Sequence, residues 1–209
     1  MTAINFLFDT QTVVIAMDTL SITVADRTPF KFASKIFPLP HLRSVMCGTG
    51  NLDLILDWNK AIHKSVIAYD IDYLNTLTPD VLVNLNAQNP KELTSTIYQF
   101  GYSHKLEAFR GFVYRSTNNF VAEEYKYCTA QKPQVDFDFF EEAELHGLDG
   151  AFIRLITLQK SEDDACLDRV GIGGEIHRFI MTKDSNKLDI IHRFPDHEDQ
   201  YGVMIDNLK

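Results

Sequence analysis

Apolar residues in the first fifty positions come in short runs parted by polar clusters. Ala3–Phe8 and Thr12–Met17 are two such runs, and the turn Asp9-Thr10-Gln11 between them predicts a hairpin. Ser21–Val24 alternates polar and apolar residues and reads as a short strand. Lys35–Phe37 and Arg43–Cys47 predict a second hairpin, with Pro38 and Pro40 in its connection. From Asn51 to about Tyr69 the period changes. Leu52, Ile55, Ile62 and Val66 recur at helical spacing, with Asn51 as the N-cap. Thr78-Pro79-Asp80 predicts the start of a second helix, a cap followed by proline at the first helical position, ending before Asn89-Pro90.

The second half returns to strands. Thr96–Tyr102, Ala108–Arg115 and Phe120–Tyr127 are rich in aromatic and β-branched residues and predict three antiparallel strands. A helix is expected over Leu148–Glu162, with Leu148, Phe152, Leu155 and Ile156 on one face. Glu175–Met181 and Lys187–Phe194 predict a final hairpin. No repeat or linker interrupts the chain. Runs of strands and helices in this order imply an α+β fold, with helices packed on antiparallel sheets in one layered domain over residues 1–209.

Charge and cysteine content narrow the function. With 29 acidic and 20 basic residues the formal net charge is -9, which argues against nucleic acid and anionic membranes as partners. No apolar stretch reaches the roughly 18–20 residues of a membrane span, and no charged-then-apolar leader precedes Thr2. Cys47, Cys128 and Cys166 form no Cys-x-x-Cys pair, so reduced thiols and a cytoplasmic location are expected.

Candidate chemistry concentrates near the start. Thr2 follows Met1, Asp18 ends an apolar run, Lys35 opens another, and Cys47-Gly48-Thr49-Gly50 closes a third. An N-terminal threonine carries a nucleophilic hydroxyl and, in its α-amine of ordinary pKa about 7.7–8.0, a base. Cys47, at the end of an apolar strand, reads as a buried and inert thiol. The stretch His192–Asp199 gathers imidazoles and carboxylates without a metal-ligand spacing and reads as a solvated acidic loop; no metal is expected. Glu141-Glu142-Ala143-Glu144 reads as an exposed face. Asp136-Phe137-Asp138-Phe139-Phe140 is either a half-buried segment or a contact for a neighbouring subunit.

Val13-Val14-Ile15-Ala16-Met17-Asp18-Thr19, Lys35-Ile36-Phe37-Pro38-Leu39 and Val45-Met46-Cys47-Gly48-Thr49-Gly50 together resemble the proteasome β-subunit family of N-terminal-nucleophile hydrolases. Asp168 followed by Gly173-Gly174 resembles that family's last helix-to-strand junction. The resemblance implies a four-layer αββα sandwich and a threonine peptidase acting on a peptide or protein. In it Thr2 matches the nucleophile, Asp18 and Lys35 the groups that tune it, and Gly48 the oxyanion-facing residue. Asp168 matches a supporting carboxylate, and Met46 and Gly50 fall in the substrate pocket. The resemblance also implies self-assembly of identical subunits, in rings in this family, and no metal or organic cofactor. Two features depart from it. The family's Ser-Gly-Ser turn is replaced by Cys128-Thr129-Ala130-Gln131-Lys132-Pro133, where Thr129 is the one hydroxyl, and Asp168 stands one residue farther than usual from the glycine pair. A catalytically silent structural subunit is the alternative.

Overall fold

The computed structural model describes residues 2–23, 25–88, 93–166 and 170–207. β1 (Ile4–Phe8) and β2 (Thr12–Asp18) pair antiparallel as the two apolar runs and the polar turn between them predict, Ile4 opposite Met17 and Phe8 opposite Val13. Asp9 closes their turn, its carboxylate accepting the amides of Gln11 at 2.7 Å and Thr12 at 2.9 Å. β3 (Leu20–Ile22) and β4 (Pro29–Phe32) form a separate two-stranded ribbon. The predicted strand Ser21–Val24 thus starts and ends earlier, and Val24 lies outside the described residues. β5 (Ile36–Leu39) and β6 (Ser44–Thr49) form the second hairpin. α1 (Leu52–Lys64) is capped by Asn51, whose side chain accepts the amide of Asp53 at 3.0 Å.

α2 (Ile71–Asn86) corrects the prediction for the second helix. It begins after Asp70, whose carboxylate accepts the amides of Asp72 and Tyr73, and Thr78-Pro79 lies in its interior. Ile71, Leu74, Thr78 and Leu82 form one buried face at helical spacing. Each buried aliphatic side chain contributes about 1.5–3 kcal/mol, enough together to outweigh an interior-proline penalty of about 3 kcal/mol. The Thr78 hydroxyl donates to the Leu74 carbonyl at 2.7 Å, so it serves the helix from within and caps nothing.

β7 (Thr96–Ser103) and β8 (Ala108–Arg115) pair along their whole length. The third predicted strand is reduced to β9 (Glu123–Tyr125). Phe120, expected to open it, has φ 57° and turns inward to pack beside Tyr114 and Trp58. β10 (Cys128–Lys132) is an unpredicted strand on the free edge of β1, with Ile4 opposite Lys132. α3 (Phe139–Asp164) starts well before Leu148, capped by Asp138, and is broken at Gly147, where φ is 72° and ψ 170°. β11 (Glu175–Thr182) and β12 (Asn186–Arg193) make the final hairpin. The expected acidic loop His192–Asp199 is divided between the end of β12 and the first turn of α4 (His197–Asp206).

The described residues therefore form an α+β fold: four helices, one ribbon and two five-stranded antiparallel sheets, ordered β10-β1-β2-β11-β12 and β5-β6-β7-β8-β9. Apolar side chains gather in three clusters. Phe6, Phe8, Ile15 and Met17 of the first sheet meet Val45, Cys47, Tyr98 and Phe100 of the second. Met46, Ile97, Phe112 and Tyr114, from the other face of the second sheet, pack with Trp58 of α1 and Leu74 of α2. Val14, Ala16 and Ile176 of the first sheet pack with Phe152 and Ile156 of α3. No described helix is long and apolar enough to cross a membrane.

Candidate active site

Asp18 ends β2 where that strand leaves its partner β11, opposite Ile176, and it is fully buried. A carboxylate there is tolerable only if its oxygens are supplied with donors. Five converge. One oxygen accepts the Thr2 hydroxyl and the Ala3 amide, the latter at 2.9 Å. The other accepts the Lys35 ammonium at 3.0 Å, the Leu20 amide at 3.1 Å and the Gly173 amide at 3.3 Å. Lys35 arrives from the residue before β5 and is 7 % exposed. Its ammonium also donates to the Thr2 hydroxyl and, at 2.5 Å, to the Leu20 carbonyl. The Thr2 hydroxyl thus accepts from a cation and donates to an anion, 3 % exposed.

This environment sets the electrostatics. Burial pushes the Lys35 ammonium below its ordinary value, and the adjacent Asp18 charge opposes that shift. Burial pushes the Cys47 thiol up, which keeps it protonated and inert, in accord with its place in the inter-sheet cluster.

A cleft of about 560 Å³ opens beside the cluster, with Thr2, Lys35, Gly48 and Gly50 in its lining. Gly48 is one position beyond Cys47, the last β6 residue opposite β5. A Cβ on Gly48 would stand 2.9 Å from Ile55 of α1, so the helix rides directly on the strand there. Gly50 has φ +101°, and a Cβ on it would fall 2.0 Å from the Thr94 carbonyl oxygen. Only glycine fits that turn. Met46 does not line the cleft: it is fully buried on the helix-facing side of β6. Asp168 lies outside the described residues.

Thr129, the one hydroxyl in the stretch that replaces the Ser-Gly-Ser turn, is exposed on β10 opposite Leu7. Thr2 is five positions from Leu7, a separation of about 16 Å along a strand at roughly 3.3 Å per residue. Thr129 lines a different cavity, under the start of α3, and does not support the Thr2 hydroxyl.

The residue that shapes this end of the site, and that sequence reasoning missed, is Asp163. Near the end of α3 its carboxylate accepts the amides of Val170 at 2.5 Å, Gly171 at 2.9 Å and Ile172 at 3.3 Å. The next amide, that of Gly173, is the one that reaches Asp18, and the Gly173 carbonyl accepts the amides of Thr19 and Leu20. An aspartate in the last turn of a helix carries no periodic signal, so only the folded loop reveals the role. Leu20, whose carbonyl holds the Lys35 ammonium, was equally invisible because main-chain groups leave no mark on residue type.

The sequence matches no protein-family model, and no curated protein matches it. The structure is similar to Anbu (ancestral β-subunit) from Yersinia bercovieri, with a TM-score of 0.61 over 99% of this chain and 93% of that one, at 13% identity. The fold is proteasome-like. Identity at this level carries the architecture and leaves the activity to be argued from the side chains.

Proposed function

We propose that the protein is a threonine peptidase of the N-terminal-nucleophile kind, a proteasome-like amide hydrolase acting on peptides or proteins. The observation that carries this reading is the Thr2 hydroxyl held between the Lys35 ammonium and the Asp18 carboxylate at the wall of a cleft. Removal of Met1 frees the Thr2 α-amine. The hydroxyl oxygen then attacks the substrate carbonyl while its proton passes to that amine, and the nearby Lys35 charge favours the alkoxide character that develops. The Gly48 amide is assigned to the tetrahedral oxyanion, where one preorganised donor contributes about 3–4 kcal/mol. Collapse expels the leaving amine, which takes the proton and leaves an ester on Thr2. Water, deprotonated by the same α-amine, cleaves the ester. Asp168 is assigned a supporting role, and Gly50 shapes the substrate side. No metal or organic cofactor enters this scheme.

The same reading takes residues 1–209 as one four-layer αββα domain, with α1 and α2 outside one sheet and α3 outside the other; the three apolar clusters support that order. Assembly of identical subunits, in a ring, and a cytoplasmic location complete it, the latter in keeping with three free cysteines. The displaced Thr129 favours a second reading, a silent structural subunit with this fold.

Intact mass and covalent labelling separate the two. A mass short by one methionine, with labelling by an epoxyketone or β-lactone that Thr2→Ala abolishes, supports the peptidase. Full-length mass without labelling supports the silent subunit.

A further inference from the structure

The cleft beside Thr2 has a charge that the molecule as a whole does not. The chain has 29 acidic and 20 basic residues, yet Arg27, Lys31 and Lys35 line the cleft and Asp53 is the one carboxylate among its described lining. Lys35 is matched by Asp18. Lys31 is not part of that cluster. It lies on β4 directly across from Ser21 of β3, and Ser21 follows Leu20, whose carbonyl holds the Lys35 ammonium. One strand spacing, roughly 5 Å, therefore separates the Lys31 backbone from the strand that carries the nucleophile's scaffold. Arg27 stands farther out, between β3 and β4. Beside these cations the wall is apolar: Phe30 is 59% exposed, and Ile22 and Leu52 also face the space. The Lys31 ammonium lies 5.6 Å from the Phe30 ring centroid, so charge and apolar surface come as one unit.

We infer that this cleft selects extended peptides in which an acidic side chain stands beside an apolar one, the carboxylate meeting Lys31 with Arg27 reinforcing it and the apolar group lying on Phe30. The inference rests on the reading of this cleft as the place where a peptide enters. A concave wall bearing like charges focuses their field on a ligand. The net negative charge elsewhere repels acidic chains weakly through screened solvent, so selection falls to the cleft itself.

Binding measured without turnover tests this. Fluorescein-labelled hexapeptides of leucine and alanine, with Glu, Gln or Lys at one central position, are titrated against the Thr2→Ala protein and followed by anisotropy. The Glu peptide should bind about fivefold more tightly than the Gln peptide, the size expected of a partly exposed ion pair. That advantage should shrink as salt is raised from 0.1 M to 1 M and pass to the Lys peptide in Lys31→Glu. Equal binding of Glu and Gln peptides, no binding of any of them, or a preference untouched by both Lys31→Glu and Arg27→Glu overturns the inference. Labelling of the parent protein is read separately. Labelling without a Glu preference removes the selectivity and keeps the peptidase; a Glu preference without labelling keeps a selective cleft and removes the peptidase.

Discussion

Asp18, Lys35 and Thr2 depend on one another. Deleting one partner of a buried pair strands the other charge, at a cost of about 3–5 kcal/mol. Lys35→Met should therefore lower stability by about that amount, measured by urea denaturation at neutral pH, and abolish labelling. The lysine also has a pH signature. Its folded-state pKa lies below the ordinary 10.5 because burial disfavours its charge. Between the folded value and 10.5 the unfolded chain binds more protons, so this group makes stability rise with pH across that window and fall as pH drops back through it. Lys132, also lowered by burial, contributes alike to parent and variant and cancels in their difference. The rise should be steeper in the parent than in Lys35→Met; equal slopes would mean that the ammonium is not where the structure puts it. Thr2, Asp18 and Lys35 were named together through the family resemblance of the segments around them, since each alone reads as an ordinary surface or turn residue; that they touch is seen only in the fold. Met46 was placed in the substrate pocket by resemblance; it shares a face of β6 with Gly48, but it lies deeper along the strand, buried among the side chains of α1 and α2.

At the scale of elements, the hairpins β1–β2, β5–β6 and β11–β12 followed directly from short strand-like runs separated by polar or proline-bearing turns. Others did not. β10 is short and mixed in polarity, a strand only because β1 offers an unpaired edge. α4 has just Gln200 and Met204 buried, and Gln200 is held by its bond from the Gly174 amide, a contact absent from local sequence. Pro79 misplaced a helix start because tertiary burial overrode the local penalty. The tie between α3 and the site is an element-level device with a clear test. Asp163→Ala removes the acceptor of three amides, and leaving buried donors unsatisfied costs about 1–3 kcal/mol each. Both stability and labelling rate should fall, although Asp163 touches neither Thr2 nor Lys35. A variant that loses stability but labels at the parent rate would show that the loop holds Gly173 in place unaided.

For the molecule as a whole, the inter-sheet cluster joins the two halves of the site, because Asp18 ends a strand of one sheet, Thr2 leads into another strand of that sheet, and Gly48 lies in the other sheet. Phe100 is central to it, fully buried with its ring 4.8 Å from that of Phe6 and 5.2 Å from that of Phe8. Phe100→Ala should cost about 3–5 kcal/mol, measured as a lower denaturation midpoint. The α+β class and the antiparallel pairing were accessible from periodicity alone. The order of strands within each sheet was not, because period identifies faces and says nothing about neighbours.

The donors around Asp18 come from residues 2–3, 20, 35 and 173. During synthesis the early members emerge long before the last. A growing chain that has not yet passed Gly173 lacks one of the five, and the loop that Asp163 fastens does not yet exist. The polypeptide thus cannot assemble its complete carboxylate shell until residue 173 has been made, which sets the ripening of the centre well after its nucleophile has emerged.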